Sequence, residues 1–370
     1  MKKIALVHDY FNEAGGAERV LRVLSEMYPQ AKIYTAFIKQ GSAKAMFGDR
    51  QIIESKWGKL LKIGRLYSYL RFLLPWIWKS LDLSQYDLVI TSCSGYIARG
   101  FRVGEKTRVV AYCHTPPKWL YGYETPTDGR NKWWGALYLK IFGPFVRYFD
   151  FVSAGRVDVW IANSHEVARR IEKFYRKKAI VIYPAVEIKA RIKRERGDYY
   201  LTVARVTGAK GLVESARAAN MAKRKLVIVG EVVGGEKFKA RIKEAGREWV
   251  QMKGRVWDEE LGELYTGARG YLALAKDEDF GMTVVEAMLA GTPILALRSG
   301  GYLETVVEGK TGIFVDKMET REVVKAIEEM EKMKFSHDEI VESAKKFGRE
   351  RFEREMRKII EKEVARARTT

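Results

Sequence analysis

Short apolar runs alternate with longer stretches of helical spacing along most of this chain, and that alternation limits the folds open to it more than any other feature. Runs at 3–9, 31–37, 87–92, 107–113 and 157–162 read as strands. Across Gly15-Gly16 the strand pattern gives way to helical periodicity, because Val20, Leu21, Val23, Leu24 and Met27 recur as one face over 17–28. Strands that alternate with helices pair in parallel, since each crossover carries the chain back over a face of the sheet, and both faces are then covered. After a charged, apolar-poor segment at 189–198 the pattern restarts, with strand-like runs at 199–204, 225–230, 270–275, 293–297 and 312–315. The expectation is two α/β domains in series, 1–186 and 197–349, with the linker between Pro184 and Gly197. A chain of 370 residues has room for roughly two such cores. From Thr320 onward, Val323, Ile327, Met330, Phe347, Phe352, Met356, Ile359 and Ile360 fall at helical spacings among Glu, Lys and Arg, as in amphipathic helices packed on the sheets.

The formal net charge of +20 calls for an acidic partner: nucleic acid, an anionic membrane, or a phosphorylated substrate. Between Ser55 and Ser80, Lys56, Lys59, Lys62, Arg65, Arg71 and Lys79 have no acid among them and are interleaved with Trp57, Tyr67, Tyr69, Phe72, Trp76 and Trp78. A second acid-free run places Arg130, Lys132, Lys140 and Arg147 among Trp133, Trp134, Tyr138, Phe142, Phe145, Tyr148 and Phe149. Cations beside Trp and Tyr in an apolar setting suit the headgroup layer of an anionic membrane. The same residues also read as core helices with solvated Lys tips, since their apolar positions form no single helical stripe. Nucleic acid is disfavoured, because no zinc spacing or RNA-binding aromatic signature is present. No apolar run reaches signal-peptide or membrane-span length, so a cytoplasmic protein, peripheral at the inner face of the membrane, is expected. Cys93 and Cys113 lack metal or redox spacing and read as reduced core thiols.

The segment Glu278-Asp-Phe-Gly-Met-Thr-Val-Val-Glu286 sets two carboxylates eight positions apart, one before a Gly turn and one about a turn into the helix that follows. The N–H groups of Phe280, Gly281 and Met282 fall at that helix start, where backbone donors without helical acceptors hold phosphate and hydroxyl oxygens. Arg205 and Lys210 lie just after the first strand of the second domain, in Ala204-Arg-Val-Thr-Gly-Ala-Lys-Gly211. Ligands of open α/β sheets bind at such carboxyl ends of strands, and two cations there can meet a diphosphate.

These residues carry a resemblance to the retaining glycosyltransferases of family 4, whose signature is E-x7-E. The resemblance runs through Gly15-Gly16, His114-Thr-Pro, Asn163-Ser164, Tyr183-Pro-Ala-Val186, Arg205-x4-Lys210-Gly211 and Glu278-x7-Glu286, in family order. It implies a GT-B fold of two facing Rossmann-like domains, with a C-terminal helix, about 350–370, returning to the N-terminal domain. It also implies that Arg205 and Lys210 hold the diphosphate, that Glu286 takes ribose hydroxyls and that Glu278 faces the donor sugar. Gly15 and Gly16 would then let backbone approach donor phosphate, His114 would hold a sugar hydroxyl, and Lys118 and Tyr121 would lie on the acceptor side. Asp279 stands where many members have Gly, and Ala209 where many have an acid.

The implied reaction moves a hexose from a nucleoside-diphosphate sugar to an acceptor hydroxyl with retention, the leaving phosphate taking the acceptor proton. Electrostatic support of the diphosphate would be its main catalytic term, with domain closure excluding water. No cofactor or metal is expected, since no carboxylate cluster has a metal-binding setting. The His114-Thr-Pro match tilts the donor toward GDP-mannose, and the basic aromatic surface tilts the acceptor toward a lipid-linked glycan. A sugar-nucleotide epimerase and a non-catalytic basic membrane-binding protein of the same fold are the alternatives.

Overall fold

The computed structural model describes residues 3–12, 15–39, 43–48, 50–63, 66–123, 125, 133–189 and 196–369. The chain forms two compact units, the first from Met1–Tyr123, Trp133–Ala185 and Arg349–Thr370, the second from Val186–Gly348.

In the first unit, β1 (Ile4–His8), β2 (Lys32–Thr35), β3 (Ile52–Glu54), β4 (Leu88–Cys93), β5 (Arg108–Cys113), β6 (Val159–Ala162) and β7 (Ala179–Val181) form a parallel sheet. Its order is β3-β2-β1-β4-β5-β6-β7. Side chains alternate between its faces: Val7, Val89, Val109 and Ala111 enter one core, and Leu6, Ile90, Val110 and Tyr112 enter the other. The winding direction reverses between β1 and β4, so the loops at their carboxyl ends part and leave the crevice in which ligands of such sheets bind.

The second unit repeats the plan. Here β8 (Tyr199–Val203), β9 (Lys225–Val229), β10 (Val250–Gly254), β11 (Gly270–Ala273), β12 (Ile294–Leu297) and β13 (Gly312–Val315) take the order β10-β9-β8-β11-β12-β13, again parallel. The reversal falls between β8 and β11, whose following loops contain Arg205 and Lys210 on one side and Glu278 on the other.

The last helix, Arg349–Thr369, packs on the first unit, as expected. Phe352, Met356 and Ile360, four residues apart, enter the core that holds Leu6 and Val20, and Arg108 Nη2 meets Glu363 Oε2 at 2.7 Å.

Three strands were not anticipated: β3, β7 and β10. Each lies at an edge of its sheet and is only partly buried; β3 has just two apolar residues in a row and β10 is interrupted by Gln251 and Lys253, whereas β7 lies in an apolar run, 179–183, that was not assigned. The first helix begins at Gly16, one residue before the expected start.

The basic aromatic segments are buried in part and exposed in part. Leu74, Ile77 and Trp78 are wholly buried, and Trp78 Nε1 donates to the Tyr96 carbonyl at 2.8 Å. The helix Trp133–Ala154 corrects the expectation of no stripe: Trp134, Leu137, Ile141, Phe145, Tyr148 and Val152 recur every three or four residues, and all are exposed. The two runs meet through the ring pairs Tyr69–Trp134, Phe72–Phe142 and Trp76–Phe145. Arg65, Arg130, Lys132 and linker residues 190–195 lie outside the described residues. Cys93 and Cys113 are both free and buried.

Candidate active site

In the second unit, the crevice between β8 and β11 brings together three of the charges picked out by motif. Lys210, in the turn that leads into the helix Leu212–Ala222, places Nζ 2.7 Å from Glu278 Oε2. Those residues are 68 apart in the chain and meet because β8 and β11 are neighbours. Arg205, five residues earlier on the same loop as Lys210, is exposed. Both side chains of the pair are partly open to solvent, so they can exchange each other for a ligand without first being dug out of a core.

The helix Met282–Leu289 starts at Gly281, whose φ of +87° is a left-handed conformation that favours glycine. That conformation aims the first-turn N–H groups, including Met282's, along the helix axis at whatever occupies the crevice. Phe280 differs from its companions: its ring is buried against Phe347, 5.3 Å between centroids, so it anchors the turn. Glu286 is only 1% exposed and accepts from the Tyr265 hydroxyl at 2.6 Å.

Motif reasoning did not find the residues that brace this turn. Gly301 N–H donates to the Glu278 carbonyl at 2.9 Å. Gly300, at φ +56°, leaves no room for a side chain, since a Cβ there would come within 2.4 Å of the same carbonyl. Tyr302 is buried, and its hydroxyl titrates well above the usual range because of that burial and the facing charge of Glu278. A signal was present: Gly300-Gly301 follows a strand, as Gly15-Gly16 does.

In the first unit, the candidate residues follow the carboxyl ends of β1, β5 and β6. Gly15 N–H donates to Glu18 Oε2 at 3.0 Å, and helix Gly16–Met27 follows. His114, just past β5, is buried; its Nε2 is 2.8 Å from Ser92 Oγ and its carbonyl accepts from Asn163 Nδ2 at 3.0 Å. Burial, helped by the nearby His8, lowers the His114 pKa to about 3, so the ring is neutral at physiological pH. Ser164 caps the helix His165–Tyr175, its Oγ accepting from Val167 N–H at 3.0 Å, while Asn163 ties that corner to His114. Tyr121 turns inward: its hydroxyl donates to Asp150 Oδ2 at 2.7 Å and its ring stacks on Phe174. Lys118, on the short helix Lys118–Tyr121, is half-buried.

Asp9 was also missed. It accepts from Ser94 Oγ and from the N–H groups of Ser94, Tyr96 and Ala98, all within 2.9 Å, so one buried carboxylate shapes the loop after β4.

Two doubly wound α/β units, each with its polar residues at the strand-order reversal, define the GT-B class. A solved structure, Anabaena Alr3699/HepE in complex with UDP and glucose, superposes with a TM-score of 0.70 at 18% identity, covering 98% of this chain and 100% of that one. Residues 14–190 match the family model Glycosyltransferase Family 4, and residues 185–347 match Glycosyl transferases group 1. Together the two matches span residues 14–347, and both models describe glycosyltransferases. Mannosylfructose-phosphate synthase of Agrobacterium fabrum is 33% identical over 87 residues, 23% of this chain and 19% of that protein. An uncharacterized glycosyltransferase of Methanocaldococcus jannaschii is 25% identical over 221 residues, 58% of this chain and 62% of that protein. The chain thus aligns with less than two thirds of the length of either relative.

Proposed function

We propose that the protein transfers a hexose from a nucleoside-diphosphate sugar to an acceptor hydroxyl, with retention at the anomeric carbon. The observation that carries this reading is the Lys210–Glu278 pair, 2.7 Å apart at the β8–β11 reversal and beside the start of the helix Met282–Leu289. Breaking a sugar–diphosphate bond leaves negative charge on the departing nucleotide. Arg205, Lys210 and the N–H groups of Gly281 and Met282 supply positive potential for it without a metal ion. When diphosphate takes Lys210, Glu278 is released toward the donor sugar, where its carboxylate holds hydroxyls and favours positive charge at the anomeric carbon. Glu286, buried and braced by Tyr265, accepts from the ribose hydroxyls. The acceptor attacks on the face the phosphate leaves, and the leaving oxygen takes its proton.

Mannose carried by GDP is the favoured donor on the His114-Thr-Pro resemblance; the neighbour solved with UDP and glucose makes UDP-glucose the rival. A thermal-shift panel of GDP-, UDP- and ADP-sugars tests the reading, since a ligand that binds only the native state raises Tm. No shift with any sugar nucleotide would refute it. Turnover that survives excess EDTA is expected, and a strict Mn or Mg requirement would contradict the metal-free mechanism.

The acceptor is proposed to be a lipid-linked glycan at an anionic membrane face. Support comes from the helix Trp133–Ala154, whose exposed stripe has Lys140 and Arg147 beside it and whose acid, Asp150, is buried against Arg99. Trp133 is 79% exposed and Tyr148 70%. A patch of this composition, apolar with aromatic members and with Lys140 and Arg147 beside it, suits a layer of anionic headgroups. Among the described residues no helix is long and apolar enough to cross a membrane, so this contact would be peripheral.

A further inference from the structure

Four buried side chains of the first unit form one polar line that the donor-site reading leaves unused. Glu18 Oε2 accepts from Gly15 N–H at 3.0 Å, and its other oxygen lies 3.5 Å from His8 Nε2. His8 Nδ1 is 3.0 Å from Ser92 Oγ, which is 2.8 Å from His114 Nε2. The members come from the first helix, β1, β4 and the end of β5, so the line crosses the sheet at the reversal between β1 and β4. Among the described residues His114 Nδ1 has no hydrogen-bond partner.

A serine hydroxyl has one proton and cannot donate to two imidazoles, so the line has a direction. An ionised Glu18 only accepts, which places an N–H on His8 Nε2. With one proton on the ring, His8 Nδ1 takes the Ser92 hydroxyl proton, and Ser92 Oγ is left to accept from His114 Nε2–H. A second proton on His8 would reverse the last two bonds. It would also bury a cation, and the 3.5 Å gap to Glu18 is longer than the ~2.7–2.9 Å of a charge-assisted bond.

We infer that Glu18, through His8 and Ser92, holds His114 as its Nε2–H tautomer, so that the bare Nδ1 is presented as an acceptor for a substrate hydroxyl. Glu18, His8 and Ser92 are positioning residues; only His114 meets substrate. The inference rests on the proposed transfer reaction and on the role the family resemblance implies for His114, facing the sugar. It gives the glycine loop a second task, because the Gly15 N–H that fixes Glu18 also sets the proton order at His114, 99 residues along the chain.

The test is the His114 tautomer in the whole protein, read by long-range 1H–15N NMR with 15N-labelled histidine. In the unaltered protein Nε2 is expected to be protonated and Nδ1 bare. In Glu18→Gln the amide oxygen stays on Gly15 N–H, the NH2 faces His8 Nε2, and the three contacts from there to His114 reverse. His114 is then expected to become the Nδ1–H tautomer, with kcat lowered roughly 10- to 100-fold and Tm little changed. Ser92→Ala cuts the line and should leave His114 a mixture of tautomers, which Ser92→Thr restores. An Nδ1–H tautomer in the unaltered protein overturns the inference, as does a tautomer indifferent to both Glu18→Gln and Ser92→Ala. If the tautomer flips and kcat does not change, the line stands and the sugar-facing role of His114 falls.

Discussion

Replacing Lys210 by alanine separates a role in chemistry from a role in stability, because the structure sets a different size for each. Lys210 Nζ sits 2.7 Å from Glu278 Oε2, with 26% and 17% of the two side chains exposed. A pair this open is screened by solvent, so its loss should cost about 1 kcal/mol of folding free energy. For a domain of this size that lowers Tm by about 2–4 °C. The catalytic loss is larger. A cation aimed at charge that develops in the transition state is worth about 3–4 kcal/mol, so kcat/KM should fall roughly 10²- to 10³-fold. Lys210→Arg keeps the charge and should recover part of it. The assay is the initial rate of nucleoside diphosphate release in the presence of acceptor, using the sugar nucleotide that raises Tm most, with Tm followed in parallel. A Lys210→Ala protein that turns over within about threefold of the unaltered one would refute the argument that this ammonium neutralises the leaving group. A Tm loss far above 4 °C would instead assign Lys210 to the fold.

Tyr265→Phe removes the 2.6 Å donor from the buried Glu286 and should destabilise the second unit by about 1.5–3 kcal/mol in urea unfolding, while raising the KM for donor; Glu286→Ala should abolish most transfer, and unaltered KM and turnover would count against the ribose assignment. His114 is neutral in the fold down to about pH 3, whereas in the unfolded chain it takes up a proton near its ordinary pKa of ~6.5. The unfolded state therefore binds more protons between those values, so the His114 contribution to stability is complete above about pH 6.5 and is lost as pH falls toward 3. His114→Asn should flatten that part of the Tm–pH curve, and an unchanged slope would contradict the assignment. The protein should sediment with anionic vesicles, less so as salt rises, and Ile141→Ser should weaken binding roughly tenfold or more if that side chain enters lipid. Indifference to lipid and salt would return the stripe to an ordinary solvated surface.

What the sequence by itself determined follows from what is local or repetitive. Central strands such as β4, buried at every residue, are continuous apolar runs in any context, so they and the parallel sheets they imply were legible. So were the residues of Glu278-x7-Glu286 and Arg205-x4-Lys210, because a turn and a helix start fix such spacings along one stretch of chain. The edge strands β3 and β10 were not, since partial burial leaves no continuous apolar run in them. Only the tertiary structure decided which groups meet. His8 and Ser92 are 84 residues apart, and Lys210 and Glu278 are 68 apart; adjacency in these sheets is set by the crossover between strands and not by distance along the chain. The same physics chose Tyr265 for Glu286 and split the basic aromatic segments, burying Trp78 and exposing Ile141. Hydrophobicity alone cannot say which apolar face a neighbouring element will cover.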